Sequence, residues 1–162
     1  MKEPPVSIIV TTRNRPNFLS DLLDSLRRLT DQYFELVVID DGSYTRQENE
    51  SVVADAKRYL TVRMERNGPA RGTVVALNKG ISMARGKFLV FTDDDCIVDA
   101  RWLERLVAAY ESPAIGGVGG RVIPIENDRV RPLTARRDLS IGRVHADGRV
   151  TSNFDLASEG IL

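Results

Sequence analysis

Three consecutive carboxylates, Asp93, Asp94 and Asp95, directly follow Thr92 and the apolar run Phe88-Leu89-Val90-Phe91. Adjacent like charges repel, so a compensating partner is expected. A divalent cation is the simplest one. Mg²⁺ and Mn²⁺ prefer hard oxygen ligands, and Mg²⁺ is usually held by one or two carboxylates together with substrate phosphates. If the extended geometry of the strand runs on, Asp93 and Asp95 point to one side and Asp94 to the other. Asp93 and Asp95 are then the pair able to share a metal. The competing reading is a turn whose aspartates cap a helix over residues 100–110.

Two more polar strings close apolar runs. Thr11-Thr12-Arg13-Asn14 follows Val6-Ser7-Ile8-Ile9-Val10, and Asp40-Asp41-Gly42-Ser43 follows Phe34 to Ile39. Each also reads as an ordinary turn, Asp-Gly being a common turn dipeptide. Arg71 is either a phosphate or base contact or a solvated side chain. His145 is the sole histidine and lacks the partners a zinc site needs. Cys96 reads as a small packing residue. No Gly-x-Gly-x-x-Gly follows the first apolar run and no Gly-x-x-x-x-Gly-Lys-[Ser/Thr] occurs. A nucleotide here would need a cradle other than a Rossmann turn or a P-loop.

The elements that must position these residues can be read from periodicity. Short β-branched runs over residues 6–10, 34–39 and 88–91 predict buried strands, and residues 60–66 predict a more exposed one. Pro16 opens a helix carrying Phe18, Leu19, Leu22, Leu23, Leu26 and Leu29. Thr45 and Glu48 have capping-box spacing and predict a helix toward Arg58. Asn67-Gly68-Pro69 predicts a turn. Val74, Leu77, Ile81 and Ala84 share a helical face, with Gly86 as the stop. Trp102, Leu103, Leu106, Val107 and Tyr110 mark another helix. Residues 115–124 read as a fifth strand, and a hairpin around Asp147-Gly148 is expected over residues 144–150.

Alternating strands and helices imply a mostly parallel sheet covered on both faces. Ligands of such sheets bind beyond the carboxyl ends of the strands. Thr11 to Asn14, Asp40 to Ser43 and Asp93 to Asp95 would therefore meet along one rim.

With 162 residues, 42% hydrophobic and 28% charged, the chain suits one ordinary globular domain. Lys+Arg and Asp+Glu both number 23, which argues against a nucleic-acid partner. A single cysteine excludes an intrachain disulfide framework. The N-terminus lacks a signal-peptide apolar core, and no apolar run reaches the roughly 20 residues that span a bilayer. The expectation is a soluble, cytoplasmic chain.

The motifs, taken in order, resemble glycosyltransferase family 2. The resemblance rests on Val6-Ser7-Ile8-Ile9-Val10-Thr11-Thr12-Arg13-Asn14-Arg15-Pro16, on Leu36-Val37-Val38-Ile39-Asp40-Asp41-Gly42-Ser43, on Asn78-Lys79-Gly80, and on Gly86-Lys87-Phe88-Leu89-Val90-Phe91-Thr92-Asp93-Asp94-Asp95 with its Asp-x-Asp element. It covers about residues 5–124. It implies a GT-A fold and inverting transfer of a sugar from a nucleotide-diphosphate sugar to an acceptor hydroxyl. By position, Thr11 and Arg13 would line the base pocket and Asp41 would accept a hydrogen bond from the base. Asp94 or Asp93 would hold the ribose. Asp95, with Asp93, would bind Mn²⁺ or Mg²⁺, and the metal would bridge the diphosphate.

Two features depart from the family pattern. Leu77 stands where many members carry an arginine, so either a diphosphate or base contact is missing or Arg71 substitutes for it. No acidic residue falls in a recognisable motif for the acceptor's base, which inverting transfer requires; Asp155 and Glu159 are available but unassigned. The resemblance thus implies a donor half: a nucleotide-sugar-binding domain over residues 1–124 and the incomplete start of an acceptor-side region over residues 125–162. Family acceptors include saccharides and lipid-linked or cell-envelope molecules at the inner membrane face. Arginines between Arg129 and Arg143 suit such a surface and equally suit a solvated face. A non-catalytic nucleotide-sugar-binding module is the alternative. A sugar-phosphate nucleotidyltransferase ranks below it, because residues 11–16 contain no glycine.

Overall fold

In the computed structural model the described residues are 5–110, 115–120, 122–123, 125–126, 129–130, 142–144 and 150–152. The apolar runs become parallel strands: β1 (Val6–Thr12), β2 (Phe34–Asp40), β3 (Val62–Arg66) and β4 (Phe88–Phe91). Helices α1 (Pro16–Arg27), α2 (Arg46–Ala56), α3 (Thr73–Met83) and α4 (Trp102–Ala108) alternate with them. Strand order is β3-β2-β1-β4. The chain steps outward from β1 to β3 and then returns to the other side of β1, which creates a topological switch point between β1 and β4. β1 and β2 run past their apolar cores, because Thr11 pairs with Ile39 and Thr12 with Asp40.

Alternation sorts the side chains into two layers. Val6, Ile8, Val10, Leu36 and Val38 join Leu19, Leu22, Leu23 and Leu26 of α1, Val53 of α2 and Leu103 of α4 in the larger core. Ile9, Val37 and Ile39 face Ala76 of α3 on the opposite side. Helices therefore cover both faces, as the alternation predicts.

α3 keeps part of the expected face, since Leu77 and Ala84 pack, partly buried, against this second core. Its buried residues are Ala76 and Gly80, whereas Val74 is 71% and Ile81 39% exposed. The helix lies so close to the sheet that a Cβ on Gly80 would sit 2.5 Å from Ile9 Cγ2. A contact made by small residues carries no bulk-hydrophobic signal. Nor does Gly86 stop the helix: α3 ends at Met83, Ala84 is already extended, and the Gly86 N–H donates to Ser7 Oγ at 2.8 Å. Thr45 takes the N-cap position of α2 without a side-chain cap bond, so the expected capping box does not form.

At the amino-terminal edge of the sheet Glu35 is nearly fully buried. It accepts from Ser7 Oγ at 2.6 Å, from the Arg85 N–H at 2.7 Å and from Arg63 Nη2 at 2.7 Å. Burial is the largest influence on this carboxyl and opposes its charge. The Ser7, Arg85 and Arg63 contacts together outweigh it and hold the pKa below the ordinary glutamate range.

The chain divides into two compact units, Met1–Val118 and Gly119–Leu162. Residues 115–120 and 122–123 form no strand, so the expected fifth strand is absent among the described residues. The glycines at 116, 117 and 119 have open space where a Cβ would lie, and glycine has little tendency to hold extended structure. The second unit contains two antiparallel pairs: β5 (Ile125–Glu126) with β6 (Arg129–Val130), and β7 (Gly142–Val144) with β8 (Val150–Ser152). Val144 pairs with Val150, as the expected hairpin requires. Its turn, His145, Asp155 and Glu159 lie outside the described residues.

Candidate donor site

At the carboxyl end of the sheet, Thr11, Thr12, Arg13, Arg15, Asp41, Gly72, Thr73, Asp93, Asp94 and Asp95 line a cavity of about 390 Å³. This lies within the usual size range of small-molecule sites. Of the residues singled out from sequence, Thr11, Arg13, Asp41 and the three aspartates meet there. Arg71 does not line it; its backbone N–H instead donates to Asp41 Oδ1 at 2.9 Å.

The acidic triplet is not a continuation of β4. The strand stops at Phe91 and the chain turns through Asp94 and Asp95, with the Cys96 N–H 3.4 Å from the Asp93 carbonyl. The turn still separates the carboxylates. Asp94 is 4% exposed, while Asp93 and Asp95 are exposed. Asp94 Oδ2 accepts from Thr12 Oγ1 at 2.7 Å, and Asp94 Oδ1 lies 3.3 Å from Arg15 Nη1. The same Nη1 is 3.2 Å from Asp95 Oδ2. α4 is capped at Arg101 with no side-chain cap bond, so the triplet does not serve as its cap.

Asp41 organises the far wall. Its Oδ1 accepts from Asn67 Nδ2 at 2.7 Å and from the Arg71 N–H, and its Oδ2 accepts from the Gly72 N–H at 2.8 Å. A carboxylate offers about four acceptor positions, so roughly one remains, on Oδ2. Burial is the largest influence and opposes its charge. The bonds from Asn67, Arg71 and Gly72, with the nearby charge of Arg13, outweigh it and hold the pKa below the ordinary aspartate range.

Gly42 lets these loops touch. Its φ is +74°, and a Cβ there would lie 2.5 Å from the Ala70 nitrogen; only glycine fits both conditions without strain. Asp40 Oδ1 accepts from the Ser43 N–H at 2.8 Å, and Ser43 Oγ accepts from the Asn14 N–H at 2.8 Å. Asn14 adopts a left-handed φ of 59° and accepts from the Tyr44 N–H at 2.9 Å; asparagine tolerates this conformation better than most residues. The β1 and β2 ends are thus tied to each other through Asn14 and Ser43.

Sequence patterns did not single out Arg15, Thr12, Gly72 or Thr73. Thr12 lay within a string read as a polar strand end, and Arg15 one residue beyond it. Arg15 gave no periodic signal, being a charged residue just ahead of a helix.

Sheet order, switch-point cavity and paired acidic and basic lining define an α/β domain of the ligand-binding kind. The chain belongs to glycosyl transferase family 2, whose model matches residues 7–155. It is 31% identical over 122 residues to O-antigen biosynthesis protein RfbC of Myxococcus xanthus, covering 74% of this chain and 9% of RfbC. It is 30% identical over 122 residues to the glucosyl-dolichyl phosphate glucuronosyltransferase of Haloferax volcanii, covering 74% of this chain and 38% of that one. Among solved structures it resembles S. aureus TarS 1-349, with TM-score 0.61 and 26% identity over 74% of this chain and 38% of that one. It also resembles the mannosyltransferase PcManGT from Pyrobaculum calidifontis in complex with GDP-Man and Mn²⁺, with TM-score 0.64 and 25% identity over 72% and 35%. The fold is of the GT-A type. The chain spans 9% to 38% of the lengths of these proteins.

Proposed function

We propose that this chain binds the nucleotide-diphosphate sugar of an inverting, metal-dependent glycosyltransferase. The supporting observation is the cavity at the β1–β4 switch point, where buried Asp94 anchors a turn that leaves Asp93 and Asp95 exposed to the cavity. Among the described residues no three His, Cys, Asp or Glu side chains form a metal cluster by themselves. Two exposed carboxylates fit Mg²⁺ or Mn²⁺ chemistry, in which the substrate's phosphates complete the ligand set. Asp95, with Asp93, would hold the cation. Bound there, it would supply charge stabilisation for the departing diphosphate.

The remaining roles belong to the chain's own groups. Asp41 directs its open acceptor position to the nucleoside base, between Thr11 and Arg13. Arg71 shapes this pocket through its backbone. Asp93 or Asp94 faces the ribose; since Thr12 and Arg15 already engage both oxygens of Asp94, Asp93 is the freer of the two. The acceptor, a saccharide or lipid-linked hydroxyl, would meet the region that begins at residue 125, and no residue is assigned as the base that deprotonates it. Among the described residues no helix is long and apolar enough to cross a membrane.

Titration calorimetry with UDP-, GDP- and dTDP-sugars, with and without Mn²⁺, tests the proposal. Metal-dependent binding of one donor is expected, reduced about 10-fold or more in Asp95→Asn, the order expected on losing a charge-assisted metal or phosphate contact. Binding that ignores both the metal and Asp95→Asn would sink it. Binding with neither transfer nor donor hydrolysis would favour a binding module without turnover.

A further inference from the structure

Arg15 makes contacts that the proposed donor chemistry does not require. Its Nη1 stands 3.3 Å from Asp94 Oδ1 and 3.2 Å from Asp95 Oδ2, and its guanidinium carbon is 5.9 Å from the Phe18 ring centroid. The two carboxylates differ sharply in setting. The Asp94 side chain is 6% exposed and is fixed by Thr12, whereas the side chains of Arg15 and Asp95 are 51% and 47% exposed. An ion pair this open to water contributes little, so Asp95 can change partner at small cost. Neither contact is bidentate: one nitrogen serves both carboxylates, which leaves the guanidinium's other donors free for an anion.

We propose that Arg15 is an exchangeable counter-ion for Asp95. Without the cation, Arg15 neutralises Asp95 and holds the acidic turn against β1. With a divalent cation present, Asp95 would exchange Arg15 for the cation, and the freed guanidinium would serve as a ligand for the diphosphate in the same cavity. Arg15 thus opposes the metal alone and favours the metal with its nucleotide. This inference rests on the donor reading above.

The two halves predict shifts of opposite sign in one variant. Binding of Mn²⁺ alone to the 162-residue chain is measured by the electron paramagnetic resonance of the free ion. Arg15→Met should tighten it about three- to tenfold, the effect of removing one unit charge several ångströms away in a well-solvated site. Binding of UDP and GDP at saturating Mn²⁺ should weaken about tenfold for the better ligand, through loss of one charge-assisted contact. Arg15→Lys keeps the charge and should leave Mn²⁺ affinity within about twofold of the parent. Circular dichroism of the metal-free variants checks that both fold. A parent that binds Mn²⁺, with Arg15→Met shifting both affinities in the same direction or neither, overturns the counter-ion role and leaves the donor reading standing. A parent that binds neither Mn²⁺ nor nucleotide overturns the donor reading and this inference with it.

Discussion

Thr12 and Asp94 are 82 positions apart in sequence, yet their side chains share a 2.7 Å hydrogen bond in the buried floor of the cavity. The bond ties the end of β1 to the turn after β4 and so spans the switch point. Thr12→Val should leave Asp94 Oδ2 without its donor. An unmet bond to a buried charged group costs about 1–3 kcal/mol. The expected result is a lower urea midpoint at an unchanged m-value, with Thr12→Ser close to the parent. A valine variant of parental stability would show that water replaces the hydroxyl.

Asp41→Asn tests the opposite wall. The three donors that meet the carboxylate come from Asn67, Arg71 and Gly72. An amide presents one oxygen and one NH₂ group, so at least one of these donors must face another donor. A loss of about 2–3 kcal/mol is expected, in the range for breaking a buried hydrogen-bonded charge. Hydrogen exchange should localise the effect, with the Arg71 and Gly72 amides losing protection before those of β1.

Glu35 and Asp41 make stability depend on acid. Both have folded-state pKa values below their ordinary ones. The unfolded chain therefore binds more protons than the folded chain in the interval between the two values, and stability rises with pH there. The contribution is complete above the ordinary carboxylate range. It should fade as pH falls from about 4.5, the ordinary glutamate value, through the depressed folded values. Urea midpoints between about pH 6 and pH 3 should fall steadily at the acid end. Glu35→Gln should flatten that fall, even though the variant starts from a lower stability at pH 6.

Gly80→Ala sets two effects against each other. Alanine improves helix propensity by about 1 kcal/mol. Overpacking against Ile9, a stiff β-branched side chain in the core, costs about 1–3 kcal/mol. A net loss of about 1 kcal/mol is expected on thermal unfolding, and the loss should shrink when measured in an Ile9→Ala background, which lacks the Cγ2 that the added methyl meets. A stabilised Gly80→Ala would show that α3 rides away from the sheet at little cost.

β1 and β2 were readable because they are buried on both faces and so form continuous apolar runs; β4 is equally apolar, but as the last strand of the four it leaves Leu89 and Phe91 exposed, so the expectation of a buried strand there does not hold. α1 was readable because its leucines recur at helical spacing. What failed to show were contacts that depend on smallness or on long-range partners. α3 buries Ala76 and Gly80 most deeply, with Leu77 and Ala84 packed beside them, so Val74 and Ile81 were the misplaced members of its expected face. The glycine-rich stretch after Ile115 has apolar content without strand pairing. Thr45 and Glu48 had the spacing of a capping box, but spacing does not fix the side-chain rotamer. At the site, strand ends announced Thr11, Arg13, Asp41 and the three aspartates. Nothing local marked Arg15 as the partner of residues some 80 positions away. Arg71 read as either a ligand contact or a solvated side chain; its side chain is exposed, and its amide meets Asp41, a role no sequence pattern marked.

Gly42 has a consequence for the timing of recognition. Backbone from the β2 end touches backbone at residues 69–70 there, and Asp41 fastens the same loop alongside. The pocket wall is therefore assembled when the chain folds rather than when a ligand arrives. Little ordering is left for the encounter, so association should proceed near the pace of a preformed cleft. Selectivity for one base over another would then arise from rejection by a fixed shape, expressed in how quickly the wrong nucleotide leaves.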